Sequence, residues 1–319
     1  MSPGASDRDL AVLGEALQSA GIDASPDHDL AALTTYRVGG RAAWFVTVGS
    51  IDQLMAIGEI VARFVTPTLV VGRGSNLLVA DSGFAGLALQ LGESFATINV
   101  GDRSIAAGGA AALPVVARRS VSAGFSGFEW AVGVPGSIGG AVRMNAGGHG
   151  SDMAASVQRV RVVDLATGQD VTMSASDCAF AYRSSSIGPH QVVVEVELAL
   201  AANISAAGER ELSEIVAWRR QHQPGGQNAG SVFANPTGDS AGRLIDIAGC
   251  KGRRIGTAEV SMKHANFIQV DAGGSADDVV SLMAAVRRAV SDSTGHDLRA
   301  ETVMVGFNPE VVAGAGGRL

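Results

Sequence analysis

Along residues 7–20 the apolar positions Leu10, Leu13 and Leu17 recur three and four apart, the spacing of one helical face, with Asp7 available as a cap. SIDQLMAIGEIVARF (50–64) repeats the pattern behind Ser50. Elsewhere the period shortens. TTYRVGGRAAWFVTV (34–48) reads as a Gly-Gly turn running into a strand, and TLVVGRGSNLLVA (68–80) as strand, glycine turn, strand. GLALQL, ATINV and RSIAAG are short strands. AALPVVARRSVSAG (111–124) is a helix with Pro114 tolerated in its first turn. VQRVRVVDLATGQDVTM (157–173) predicts a hairpin turning at Thr167-Gly168, and QVVVEVELAL (191–200) alternates apolar and acidic residues as a strand does.

After residue 202 the texture changes. AAGERELSEIVAWRRQHQ is a helix and AGRLIDIAG a short one ending at glycine. ADDVVSLMAAVRRAVSDSTG (276–295) is a long amphipathic helix that also stops at glycine, and ETVMVGF closes with a strand. The pattern predicts a strand-rich α+β first two thirds and a smaller α/β unit last, divided within Ala202–Ala207. SPGAS and GAGGRL read as frayed ends. No internal repeat is present.

Composition narrows the function. A chain of 319 residues, 46% apolar and 17% charged, is globular rather than disordered. A net charge of −7 argues against a nucleic-acid surface but leaves room for a local basic pocket that takes a phosphorylated small molecule. Two cysteines outside any CxxC pair and six scattered histidines give no zinc or iron–sulfur pattern, so no metal is expected, and they suit a reducing compartment. The first twenty residues lack the apolar core of a signal peptide, and no apolar run is long enough to span a membrane. A cytoplasmic protein without membrane attachment is expected.

Two glycine-rich stretches carry the chemistry. In VPGSIGGAVRMNAGGHG (134–150) six of seventeen residues are glycine, and GRGSNLL (72–78) is a second such loop. Glycine costs conformational entropy, so a cluster implies tight turns or a ligand that touches bare backbone. Successive exposed N–H groups form an anion-binding concavity. Neither loop fits GxGxxG, since Leu77 stands at its last position, nor the GxxxxGK[ST] phosphate loop. A Rossmann site and a P-loop are thereby disfavoured; turns and a dinucleotide diphosphate site both stay open.

TTYRVGG, VGRGSNLL, GVPGSIGGAVRMNAGGHG, AYRSSSI, GSVFANPTGDSAGRLIDIAGCKGRRIGTAEVS, KHANFI and LRAET stand in this order from about residue 34 to residue 307. Together they resemble the UDP-N-acetylenolpyruvoylglucosamine reductases (MurB) of bacterial peptidoglycan synthesis. The resemblance implies an α+β fold. A vanillyl-alcohol-oxidase-like, PCMH-type FAD-binding domain over residues 34–204 follows an N-terminal helix and lead-in over 1–33. A smaller α/β MurB C-terminal, substrate-binding domain spans 205–319. The short chain between Tyr182 and GSVF resembles the branch without the extra tyrosine-bearing loop. FAD is the implied cofactor, and NADPH and UDP-N-acetylglucosamine enolpyruvate the implied partners of a monomer. The implied cofactor contacts fall on Tyr36 and Arg37, on the first loop at Gly72, Gly74, Ser75, Asn76 and Leu77, and on the second at Pro135, Gly136, Ser137, Gly139, Gly140 and Asn145.

The implied reaction sends a hydride from NADPH through the flavin to a vinyl carbon, and a proton to the carbon beside the carboxylate. Such chemistry needs a positioned proton donor and groups that stabilise enolate-like charge. By resemblance Ser231 of GSVFANP is the donor, Arg183 of YRSSSI holds the substrate carboxylate, and Glu301 of LRAET helps polarise the enolpyruvyl group. In isolation each would read as a cap, a surface ion-pair residue or a solvated acid. Tyr182, Asn235, Arg243 and Lys263 are the implied substrate contacts. Ala234 stands where many family members have lysine, which leaves a phosphate contact missing or supplied by an arginine such as Arg243. The chain also has LRAE where LEPE is common, and Arg41 after Gly-Gly where proline is frequent. The alternatives are an FAD oxidase or reductase on the same scaffold with another acceptor, and a non-catalytic flavin-binding paralogue.

Overall fold

The structure, a computed structural model, describes residues 6–202 and 207–317. α1 (Asp7–Ser19) is capped by Ser6 rather than Asp7: the Ser6 hydroxyl accepts from the Asp9 N–H, and the Asp9 carboxylate accepts the Ser6 N–H in return. β1 (Ser25–Asp29), a polar strand with no apolar period to announce it, runs antiparallel to β2 (Arg41–Val48). TTYRVGG lies outside the strand, which begins after Gly39 at φ +110°. α2 (Ile51–Phe64) follows its Ser50 cap. β3 (Thr68–Val70), β4 (Leu77–Val79) and β5 (Phe84–Leu91) come next. The first sheet has the order β1-β2-β5-β3, with β5 parallel to both neighbours.

A second, antiparallel sheet has the order β9-β8-β10-β7-β6. It comprises β6 (Ile98–Val100), β7 (Ser104–Gly108), the hairpin β8 (Val157–Asp164) and β9 (Gln169–Ser174), and β10 (Gln191–Ala199). α3 (Leu113–Ser122) and α4 (Ile138–Arg143) cover one face. β10 shows why its alternation is imperfect. Val192 and Val194 enter the core shared with α1 and α2, whereas Val193, Val196 and Leu198 enter the core under α3 and α4. A strand covered on both faces reads as a near-continuous apolar run, and here polar alternation survives only at Glu195 and Glu197.

The C-terminal part contains α5 (Ala207–His222), α6 (Ala241–Ile247), a small sheet of β11 (Arg254–Ile255), β12 (Ala258–Val260) and β13 (Ile268–Val270), then α7 (Ala276–Thr294), β14 (Val303–Val305) and α8 (Pro309–Gly314). α7 ends as expected, with Gly295 left-handed at φ +73°. The GAGGRL end is not loose where it is described: the Ala300 N–H donates to the Gly316 carbonyl at 2.8 Å. The expected division at 204/205 lies outside the described residues, as do residues 1–5 and 318–319. Among the described residues no helix is long and apolar enough to cross a membrane.

Two ties join the C-terminal part to the first sheet region. β14 pairs in parallel with β4, Val303 opposite Leu77 and Val305 opposite Val79. Asp81 accepts from the Ser275 hydroxyl and from the N–H groups of Ala276 and Asp277, so a carboxylate from one part neutralises the α7 N-terminus of the other. Asp81→Ala is expected to lower unfolding free energy by about 1–3 kcal/mol, and Asp81→Asn by less, in urea denaturation. A loss for Asp81→Ala below about 0.5 kcal/mol would mean that Ser275 alone satisfies the terminus.

Candidate active site

The two glycine loops face each other across a cavity of about 1310 Å³. The first connects β3 to β4. Gly74 is left-handed at φ +59°, and its Cα packs so closely on the Leu33 carbonyl that no side chain fits. The Thr35 N–H donates to the Gly74 carbonyl at 3.2 Å, so TTYRVGG braces the loop from behind. In the second loop Ser137 caps α4, and the Gly139 N–H donates to the Gly109 carbonyl at 2.9 Å. A Cβ on Gly72 would lie 2.6 Å from the Ser137 hydroxyl, so only bare backbone lets the two loops come this close at one end of the cavity.

Among the described residues the backbone N–H groups of Gly72, Arg73, Gly74, Ser75 and Asn76 find no acceptor. Five successive unmet donors on the cavity lining, in loops without a carboxylate, supply the kind of donors a diphosphate site requires. The cavity exceeds the usual range for one small ligand and has room for a dinucleotide beside a second molecule. The residues present therefore fit FAD.

Ser231, Arg183 and Glu301 all line this cavity, although 118 residues separate Arg183 from Glu301. The Arg183 Nε donates to Glu301 Oε1 at 3.1 Å and an Nη donates to the Gly147 carbonyl at 3.1 Å. Arg183 itself is left-handed, φ +56°, within a turn closed by paired Ala181 and Ser184 backbone bonds. Burial raises the Glu301 pKa above the ordinary glutamate value, against the opposing pull of the Arg183 charge. The Glu301 N–H donates to the Val232 carbonyl at 2.8 Å, which fixes the acid one residue away from Ser231. The Ser231 hydroxyl makes no hydrogen bond among the described residues and is free to face a ligand.

The other predicted residues divide between the cavity walls and positions away from them. Gly72, Gly74, Ser75, Asn76, Leu77, Pro135, Gly136, Ser137 and Gly140 line the large cavity, and Gly139 lines an adjoining one of about 340 Å³. Asn145 lies behind the wall. Only 2% exposed, it donates to the Ala181 carbonyl and to Asp152 and accepts from the Ala154 N–H, which steadies the turn that carries Arg183. Tyr36 is fully buried in the C-terminal core beside Val232 and Phe233, while Arg37 is exposed and lines neither cavity. Tyr182, Asn235, Arg243 and Lys263 line neither cavity. Asn235 accepts from the Ala241 N–H at the start of α6. Arg243 is paired with Asp239, and Lys263 donates to the Arg220 carbonyl.

Trp218, Arg219, Gln223 and Arg143 line the large cavity but belong to no quoted motif as site residues. The signal for the first three was the crowding of WRRQHQ at the end of α5, and for Arg143 a single charge inside an apolar glycine segment. His149 and His264 line it too. His149 stands edge-on to Trp218, and burial followed by the Arg219 charge lowers its pKa.

Residues 42–174 match a family model described as an FAD binding domain. Residues 221–305 match one described as the UDP-N-acetylenolpyruvoylglucosamine reductase C-terminal domain. The UDP-N-acetylenolpyruvoylglucosamine reductase of Heliobacterium modesticaldum is 42% identical over 286 residues, 89% of this chain and 91% of that relative. The protein named UDP-N-acetylenolpyruvoylglucosamine reductase 2 from Symbiobacterium thermophilum is 40% identical over 278 residues, 86% and 90% of the two chains. The crystal structure of the Thermus caldophilus enzyme superposes with a TM-score of 0.77 at 33% identity, covering 89% of this chain and 98% of that one.

Proposed function

The chain belongs to the UDP-N-acetylenolpyruvoylglucosamine reductase family of FAD-containing oxidoreductases in peptidoglycan synthesis, and from that premise we infer how its residues divide the work. The chain reduces UDP-N-acetylglucosamine enolpyruvate to UDP-N-acetylmuramate, with NADPH as electron source. The observation that carries the reading is the convergence of Ser231 and the Arg183–Glu301 pair on the cavity bordered by the unmet loop N–H groups. Residues 34–204 would hold the cofactor and 205–319 most of the sugar nucleotide, in a cytoplasmic monomer.

When bound along the Gly72–Asn76 and Pro135–Gly140 loops, FAD would supply hydride-transfer chemistry between a nicotinamide and the vinyl carbon. Arg183 holds the substrate carboxylate, where negative charge spreads as the hydride arrives. Glu301 fixes the Arg183 guanidinium and, kept dry by its surroundings, strengthens the local field. Ser231 gives its hydroxyl proton to the carbon beside the carboxylate, and the resulting alkoxide is reprotonated from water. A serine is a weak acid, so this role depends on position rather than on pKa.

An anaerobic absorbance experiment on the purified protein tests the whole reading. The flavin band is expected to bleach with NADPH and return on adding the enolpyruvyl sugar nucleotide. Return with oxygen alone would assign a different acceptor, and no flavin after reconstitution would overturn the role given to the loops.

A further inference from the structure

The two cavities meet at a neck: Gly72, Arg73, Ser137, Gly140 and Arg143 line both. The only charged side chains shared by the two linings are Arg73, which is exposed, and Arg143, which is half-buried. Arg143 ends α4, and the Ser185 hydroxyl holds its carbonyl at 2.8 Å, so its backbone is fixed at the neck. Arg161, Arg183, Arg243, Arg254 and Arg287 all have carboxylate partners. The Arg143 guanidinium has neither an ion pair nor a hydrogen bond among the described residues. Burial without a counter-charge lowers its pKa below the usual guanidinium range.

A half-buried unpaired cation is costly in the free protein, and a bound anion offsets that cost. The neck also borders the unmet N–H groups of Gly72 and Arg73. A ligand with an anionic centre and an arm on each side is what a neck between two cavities accepts. A guanidinium suits phosphate oxygens because its planar fork donates to two of them at once.

We infer that Arg143 is the cationic partner of the FAD diphosphate, clamping it against the Gly72–Asn76 backbone. The inference rests on the reading of the loops as an FAD site. It adds a half-buried side-chain contact to the main-chain donors of the loop.

The test is titration of flavin-free, full-length wild type, Arg143→Met and Arg143→Lys with FAD and with riboflavin, which lacks the diphosphate. Flavin fluorescence reads binding, and thermal unfolding of each apo-protein checks the fold. Arg143→Met is expected to bind FAD about tenfold to a hundredfold more weakly with riboflavin affinity unchanged, and Arg143→Lys to recover part of the loss. In wild type, raising salt is expected to weaken FAD more than riboflavin, a check that needs no variant. Equal FAD affinity in Arg143→Met, or parallel loss of FAD and riboflavin, would overturn the inference and leave FAD binding standing. Failure of wild type to bind FAD would instead remove the underlying reading.

Discussion

Ser231→Ala leaves flavin reduction by NADPH intact and lowers turnover of the enolpyruvyl substrate by about 10²- to 10⁴-fold, the usual worth of a positioned proton donor. The structure makes this substitution a clean probe. The Ser231 hydroxyl has no intramolecular partner among the described residues, so its removal leaves no protein group unsatisfied. Neighbouring Val232 and Phe233 stay clamped through the Asn266 carbonyl and side chain, and stability is expected to change by less than about 0.5 kcal/mol. Stopped-flow absorbance separates the half-reactions: bleaching with NADPH reads the first, recovery with the sugar nucleotide the second. Equal losses in both would remove the proton-donor role, because only the second half-reaction needs a proton on carbon.

Glu301→Gln is expected to reduce the rate of flavin reoxidation by about 10²-fold or more, again with bleaching by NADPH preserved. Glutamine can still accept one bond from the Arg183 Nε, but it removes the charge that fixes the guanidinium. The same substitution carries a pH signature. Burial raises the Glu301 pKa, so the native state holds this proton more tightly than the unfolded chain does. The unfolding free energy contributed by Glu301 is then greatest below the ordinary glutamate value and declines as pH rises through the raised native one. Glutamine does not titrate. The stability of Glu301→Gln relative to wild type is therefore expected to improve as pH rises from about 4 toward neutrality. Denaturant midpoints measured across that range check the sign, and the opposite trend would mean that Arg183 dominates and holds the carboxylate ionised.

The sequence pattern made the regular elements legible where one face is buried and the period is clean, as in α2, α7 and the β8–β9 hairpin. It failed where tertiary contacts override local preference. α4 lies inside the glycine segment and contains Gly139 and Gly140, poor helix formers. The helix stands because its Ser137 cap holds the Gly140 N–H and because Gly139 must pass close to the Gly109 carbonyl. β1 is polar and reads as a strand only once β2 lies beside it. The glycine loops were legible as backbone meant for contact, but not as a facing pair. Ser231, Arg183 and Glu301 were legible only through the family motifs around them, because no local spacing links positions so far apart. Asn145 shows the limit of motif reading: it shares a segment with loop residues that line the cavity, yet it holds the turn behind them. Arg219 belongs to no motif and Arg143 lies within the second glycine segment with no role assigned to it there; the cavity brings both to the site.

The pairing of β14 with β4 bears on how the protein is made. Asn76, the last residue of the first glycine loop, donates to the Glu301 carbonyl across 225 positions of chain, and its own carbonyl accepts the Val303 N–H. During synthesis the loop emerges long before its partner does. Until then β4 has a bare edge on that side, and closing so long a separation is slower than forming the local hairpins around it. The strand that follows the first glycine loop thus gains its parallel partner only after translation has passed Val305.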